Sequence, residues 1–340
     1  MSHPTIAIVI PNRNDASYLK RCLDSVIQQT VLPDQIVVVD DQSTDDSMAV
    51  IRDKLGHITG VTIISNAVCL GTMGALNVGL AHTDADYVLF LSSNDFVESG
   101  IVERAKTCIG NTGLPGVWSA LVSVVDETDK RMHVYPTPIV ALEDAYLSPV
   151  ECIRLANKVG HWFAGTTLMY RRDTLTTIGG FNTTYLGLGD LIAALTIASL
   201  EGAAFSPEPL AVIRPHPGGL MSRTLSDLPA LDVLLGRIWQ DGKVASPALF
   251  TTAFCQLMER RLRFTAMRAS NDGAWMKHLG VWHGLRYRLL SLAITLVGRA
   301  RLPALLFAFL LLRPVGDIFA IIWYRFGAAT ILRFRQSSHV

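Results

Sequence analysis

The chain is 340 residues long, half of them apolar and 17% charged, which is more hydrophobic than a typical soluble enzyme and leaves room for one large domain or two ordinary ones. Its net charge of +1 hides a division: residues 1–255 carry 17 Lys and Arg against 26 Asp and Glu, while residues 256–340 carry 13 against 3. An acidic body with a basic, apolar tail points to a catalytic part with a membrane-facing end, and the Leu, Phe, Ile and Trp content of the tail argues against a nucleic-acid partner.

The predicted elements begin with a short apolar strand, Ile6–Ile10, which stops at Pro11. A polar knot, Asn12-Arg13-Asn14-Asp15, follows it. Leu19, Cys22, Leu23, Val26 and Ile27 then fall on one helical stripe, so 14–29 is expected to be a half-buried helix. A second apolar strand, Ile36–Val39, ends abruptly on Asp40 and Asp41. Two adjacent acids are poor core material, so they either face a ligand or cap the helix expected from the Ser43–Asp46 cluster to about Leu55. Val61–Ile64 reads as a strand, Met73–Ala81 as a helix and Tyr87–Leu91 as a strand. Strands that are apolar throughout and alternate with helices argue for a mostly parallel sheet covered on both faces. In such sheets ligands bind beyond the carboxyl ends of the strands.

From 111 to 149 glycines and prolines break the pattern, although Val117–Val125 has the character of a strand. A strand is expected over His161–Tyr170, then a turn at Arg171-Arg172-Asp173 into a short helix ending at Gly179-Gly180. Asp190–Leu200 reads as a helix ended by Gly202, Leu210–Ile213 as a strand, and everything after Pro229 as helical. In the tail, the apolar stretches Leu289–Val297, Leu302–Leu312 and Ile318–Tyr324 each fall short of the roughly 20 residues that span a bilayer. Interrupted by arginines and by Pro303 and Pro314, they suit helices lying in the headgroup region, peripheral or monotopic. The alternatives are a helical region that packs on the body or on a second copy, as in a homo-oligomer, and a true span or re-entrant hairpin. The five scattered cysteines form no C-x-x-C pair, and no apolar signal core precedes the first strand, so a cytosolic setting is expected.

Several motifs in order then give a resemblance. The PNRND turn, the VVVDDQSTD strand end, the run Gly71-Thr72-Met73-Gly74-Ala75-Leu76-Asn77-Val78-Gly79, the loop Ser92-Ser93-Asn94-Asp95, the R-R-D and GGF turns, Gly189-Asp190 and Arg214-Pro215-His216 together resemble family 2 glycosyltransferases over roughly Pro4 to Met221. The resemblance implies a Rossmann-like GT-A fold over 1–225, followed by an all-α C-terminal region over 226–340. It implies an inverting transferase that moves a sugar from a nucleotide diphosphate-sugar to a glycan or lipid-linked hydroxyl, at the cytoplasmic face of the cell membrane, in cell-surface polysaccharide or glycolipid synthesis.

Carried over residue by residue, the resemblance places Pro11 and Arg13 against the nucleotide base, with Asp41 bonding the base or ribose. Gly71 and Asn77 belong to the turn beside the phosphates, where Leu76 replaces the arginine usual in the family. The family's acidic motif holds a divalent cation, Mg2+ or Mn2+, across the diphosphate. Here Asp95 is its one remaining acid and the implied metal ligand, with Asn94 on ribose or metal. His216 is implied as a further metal ligand and Arg214 as a phosphate clamp. Gly165 lets the donor sugar pass near backbone, and Trp162 either stacks on a sugar or packs in the core. Asp190 is the implied general base, which an inverting reaction needs opposite the leaving diphosphate. Two other readings stay open: a non-catalytic partner on a degenerate transferase scaffold, suggested by Leu76, Ser92, Asn94 and Gly189, and a sugar nucleotidyltransferase, which the N-terminal motif disfavours.

Overall fold

The computed structural model describes residues 3–126, 128–135, 137–215 and 218–269. His216 and the apolar stretches beyond 280 lie outside the described residues.

The elements follow in chain order as β1 (Ile6–Asn12), α1 (Ala16–Ile27), β2 (Gln35–Asp40), α2 (Ser47–Leu55), β3 (Val61–Ser65), α3 (Gly71–Ala81), β4 (Tyr87–Phe90), β5 (Phe96–Val97), α4 (Ile101–Asn111), β6 (Val117–Val125), β7 (Arg131–Val134), β8 (Ala145–Leu147), α5 (Pro149–Val159), β9 (Met169–Arg171), α6 (Arg172–Thr177), α7 (Gly189–Glu201), β10 (Ala203–Ile213), α8 (Leu220–Ser226), α9 (Leu228–Ala245) and α10 (Thr252–Ala269). The sheet order is β3-β2-β1-β4-β9-β6-β10-β5, with β7 beside β6 and β8 beside β10. Strands β3, β2, β1 and β4 run parallel, as do β6 and β10. The sheet as a whole is mixed rather than mostly parallel, because β9 runs antiparallel between β4 and β6, and β5, β7 and β8 also pair antiparallel.

Strands β1, β2, β4 and β6 are buried on both faces, which is why they lack polar alternation, while the edge strands β3, β7 and β8 are partly or fully exposed. Ile6, Ile8 and Ile10 pack with Leu19, Cys22, Leu23 and Val26 of α1 on one face. Ala7 and Val9 pack with Met73, Leu76 and Leu80 of α3 on the other. That second core continues without a break through α5 and α7 into Leu231, Leu235 and Ile238 of α9 and Phe254 and Met258 of α10. Residues 226–269 therefore share one core with the body. The segment Thr183–Glu201 is apolar and long enough to cross a membrane, but 72% of it is buried inside the protein, so it is a core segment.

Three expectations are corrected. The segment 161–170 is not one strand: Gly165–Thr167 forms a 3-10 turn and only Met169–Arg171 pairs. The Thr167 hydroxyl donates to Ala120 O at 2.9 Å and accepts from Ala120 N at 3.2 Å, replacing the ladder there with side-chain bonds. Strand β10 starts at Ala203, and its register shifts around Pro209 accommodate the prolines of 203–213. Helix α5 was not expected, although Ser148 and Glu151 form a capping box with Pro149 in the first turn.

Helix α3 approaches β1 through Gly79, where an added Cβ would lie 2.2 Å from Val9 Cγ1. Gly79→Ala is therefore expected to force the helix off the sheet and cost about 1–3 kcal/mol, read as a lower urea midpoint with an unchanged m-value.

Candidate active site

The chain runs β1, β2, β3 to one side and then crosses to β4 on the other, so β1 and β4 flank a topological switch point. The loops at their carboxyl ends are fixed by polar side chains. Asn12 donates to Asp40 Oδ1 at 2.8 Å and to Ser43 Oγ at 3.1 Å. Asn14, at φ 57°, accepts from Thr44 N at 2.7 Å. Of the two acids ending β2, Asp40 is thus a buried strut between loops. Asp41 stands on the cleft wall and gathers the next loop: its carboxylate accepts from Leu70 N and Gly71 N at 2.8 Å and from Asn66 Nδ2 at 2.9 Å. Partial burial pushes its pKa up, but the bonds from Leu70, Asn66, Cys69 and Gly71 outweigh this and hold it below the usual aspartate value.

These loops border an open cleft of about 630 Å³ lined by Pro11, Arg13, Asp41, Gly71, Asn94 and Arg223, among others. It adjoins an inner pocket of about 270 Å³ that shares Pro11, Thr72, Ser92 and Leu220 with it. Asp95, Gly165 and Asp190 lie on the inner pocket's wall. The expected site residues Pro11, Arg13, Asp41, Gly71, Asn94, Asp95, Gly165 and Asp190 are therefore brought together in one continuous depression.

Asp95 is 7% exposed and tied to two distant segments. Arg214 N donates to its Oδ1 at 2.9 Å and Thr166 Oγ1 to its Oδ2 at 3.1 Å. Burial outweighs these bonds and pushes its pKa up to about 7. Asp190 lies within the first turn of α7, not at its cap. Its Oδ1 accepts from Leu191 N at 2.7 Å, and burial raises its pKa as well. An added Cβ on Gly165 would lie 2.9 Å from Asp190 Oδ2, so this glycine makes room for the carboxylate. Leu186, just before α7, holds φ 50° and ψ −132°, a conformation few non-glycine residues adopt.

Three expected contacts are not on the wall. The Arg214 guanidinium pairs with Asp129, donates to Asn94 O at 2.5 Å and lies over the Tyr18 ring at 4.8 Å. Arg214 is thus a brace for the acidic loop rather than a phosphate clamp. Asn77 closes a pair of 2.8 Å bonds with the backbone N and O of Phe181, fixing the GGF turn against α3. Trp162 is 1% exposed and packs on Phe163 with ring centroids 4.5 Å apart, so it belongs to the core. Arg223 was not singled out in the sequence because it belongs to none of the motifs; α8 carries it onto the cleft wall, where with Arg13 it supplies the cations among the described residues. No group of three or more His, Cys, Asp or Glu gathers among the described residues. A single desolvated carboxylate such as Asp95 nonetheless fits a hard cation that takes its other ligands from phosphate oxygens and water.

The Glycosyl transferase family 2 model matches residues 7–179, about half of the chain. The chain belongs to this family. The family chain is 31% identical over 179 residues to an uncharacterized glycosyltransferase of Nostoc sp., covering 50% of this chain and 52% of that protein. It is 34% identical over 102 residues to the poly(ribitol-phosphate) beta-glucosyltransferase of Bacillus spizizenii, covering 29% and 16%. The match thus spans about half or less of these curated relatives. The fold resembles the mannosyltransferase PcManGT of Pyrobaculum calidifontis, solved with GDP-Man and Mn2+, at a TM-score of 0.59, 19% identity and coverage of 96% and 88%. It also resembles residues 1–349 of S. aureus TarS with UDP-GlcNAc, at a TM-score of 0.58, 15% identity and coverage of 84% and 77%. The architecture is GT-A.

Because the folded pKa of Asp41 is depressed, its carboxylate stabilises the fold above its unfolded pKa, and this contribution is lost as pH falls through the folded value. Asp41→Ala is expected to cost about 1.5–3 kcal/mol at pH 7. The gap between variant and parent should narrow as pH falls below the ordinary aspartate value and through the depressed folded one, measured by urea unfolding at each pH.

Proposed function

We propose that the chain is an inverting glycosyltransferase that moves a sugar from a nucleotide diphosphate-sugar to a hydroxyl of a glycan or lipid-linked acceptor. The observation that carries this reading is that Asp95 and Asp190, both with raised pKa, face one pocket that opens into the Pro11–Arg13–Asp41 cleft. The cleft suits a nucleoside: Asp41 accepts from imide N–H or ribose hydroxyls, and Arg13 offers a planar face to a base. Arg223 faces the same cleft and adds positive charge for a diphosphate.

Asp95, with Asn94 beside it, would hold Mg2+ or Mn2+, which when bound neutralises charge on the leaving diphosphate. Asp190 accepts the proton of the acceptor hydroxyl as its oxygen attacks the anomeric carbon. The bond from that carbon to the diphosphate breaks on the opposite face, which inverts the centre. Burial that raises the pKa of Asp190 makes it a better proton acceptor than a solvated aspartate. Cell-surface polysaccharide or glycolipid synthesis is the setting we propose, supported by the beta-glucosyltransferase relative. The excess of 13 basic over 3 acidic residues in 256–340 supports docking at the anionic cytoplasmic face of the membrane. The loss of acids at Ser92 and Asn94 favours a second reading, a non-catalytic scaffold.

Titration of the intact chain with UDP, GDP and dTDP, with and without Mn2+, separates the two. Binding of one nucleotide that strengthens with Mn2+ and loses that dependence in Asp95→Ala is expected; no binding of any would support the scaffold. The Mn2+ effect should grow from pH 6 to pH 8, because protons compete for Asp95 around pH 7. Asp190→Asn is expected to keep nucleotide binding while slowing sugar release or transfer by about 10²–10⁴-fold.

A further inference from the structure

We infer that the transferred sugar is a 6-deoxyhexose, whose methyl group seats on the apolar floor of the inner pocket. This rests on the reading above that a nucleotide diphosphate-sugar occupies the cleft. The sugar must then lie between the diphosphate, at the Asp95 end, and the acceptor hydroxyl facing Asp190. The inner pocket of about 270 Å³ occupies that interval.

Each sugar hydroxyl that leaves water needs a partner in the pocket. Of the four hydroxyls on its wall, Thr72 stands at the mouth shared with the outer cleft, and the other three have their protons engaged, so towards a sugar they can only accept. Thr166 donates to Asp95 at 3.1 Å, Ser92 donates to Asn94 at 2.7 Å, and Tyr170 donates to the Asp190 carbonyl at 2.9 Å. Beside Pro11, Gly165 and Gly187, the floor is formed by Met73, Leu76, Phe90 and Phe181, with Leu220 and Met221 of α8 at its side. Phe90 and Phe181 meet edge to face with centroids 4.8 Å apart, and Tyr170 meets Phe181 in the same way at 5.5 Å. The floor is thus a packed surface that offers side chains with no hydrogen-bonding group. Leu76 completes it where a longer cationic side chain would bring donors into the pocket.

The exocyclic carbon is the substituent that reaches farthest from a hexose ring. With a hydroxyl, it would lose its water on this floor and gain no partner. With a methyl, it gains apolar contact. An acetamido group would bring both an N–H and a carbonyl that need partners. Rejection of one added hydroxyl by an apolar pocket is limited to about a hundredfold, so a preference of about 10- to 100-fold is expected.

The test titrates the intact chain, with Mn2+, with donors that differ only at C6: 6-deoxyglucose against glucose on UDP and on dTDP, and GDP-L-fucose against GDP-L-galactose. UDP-GlcNAc against UDP-glucose forms the acetamido arm, and the free nucleoside diphosphates are titrated alongside. On whichever nucleotide binds, the 6-deoxy donor should bind at least tenfold tighter than its hydroxylated partner. Leu76→Asn should bring that ratio towards one. Met73→Gln serves the same purpose if thermal melting shows the first variant unfolded. If no free nucleotide binds, the donor reading itself falls. If nucleotides bind but the C6 pairs bind equally, the acetamido donor is preferred, or a folded variant keeps the parent ratio, the 6-deoxy inference is overturned.

Discussion

One buried carboxylate joins the parts of this site that lie far apart in the chain. Asp95 receives a backbone N–H from Arg214, at the end of β10, and a hydroxyl from Thr166, in the turn before β9. Two hydrogen bonds do not offset the loss of water around the charge, so its pKa stays raised. The fold thus holds an acid that is incompletely stabilised as an anion. A divalent cation is the partner that such a group accepts most readily, and a single acid is enough where the ligand brings phosphate oxygens. Arg214 extends the same junction outwards: its guanidinium bonds Asn94 O and pairs with Asp129, which also pairs with Arg21. Charge that a sequence motif assigns to the donor is spent here on holding the acidic loop in place.

The inner pocket takes its character from the same packing. Met73, Leu76, Phe90 and Phe181 are core residues of the α3 side of the sheet, and the pocket is where that core comes to the surface. Asp190 is raised in pKa because it shares this apolar setting. Gly165 keeps the space beside it open, and Gly189 does the same for Met73, whose Sδ would lie 2.8 Å from an added Cβ. A carboxyl whose pKa is raised by desolvation and a floor poor in hydrogen-bonding groups are therefore two results of one arrangement.

How much of this was legible in the sequence follows from range. Strands β1, β2 and β4 and helix α1 were readable because a strand buried on both faces is apolar throughout and a half-buried helix carries a stripe. The site residues Asp41 and Asp95 were readable because each follows an apolar strand, and Asp190 because it opens an apolar helix. Roles set by distant contacts were not. Asn77 looks like part of a phosphate turn until Phe181 closes on it, 104 residues later. Arg214 looks like a ligand clamp until Asp129 and Asn94 engage it. Trp162 was ambiguous between sugar contact and core, and burial decides for core. The antiparallel β9 was hidden because Thr167 side-chain bonds stand in for strand pairing.

Helix α8 shows how the outer cleft and the loop before Asp190 are linked. Gly187 N donates to the buried Thr224 Oγ1 at 3.0 Å, and an added Cβ on Gly187 would lie 2.8 Å from the Cα of Met221. The backbone of α8 therefore touches the loop that leads into Asp190. The same helix presents Arg223 to the outer cleft and Met221 to the inner pocket. Leu186, in its strained conformation, lies at this contact and keeps the chain turned towards α8. One short helix thus lines both the outer cleft and the inner pocket, without a long path through the core.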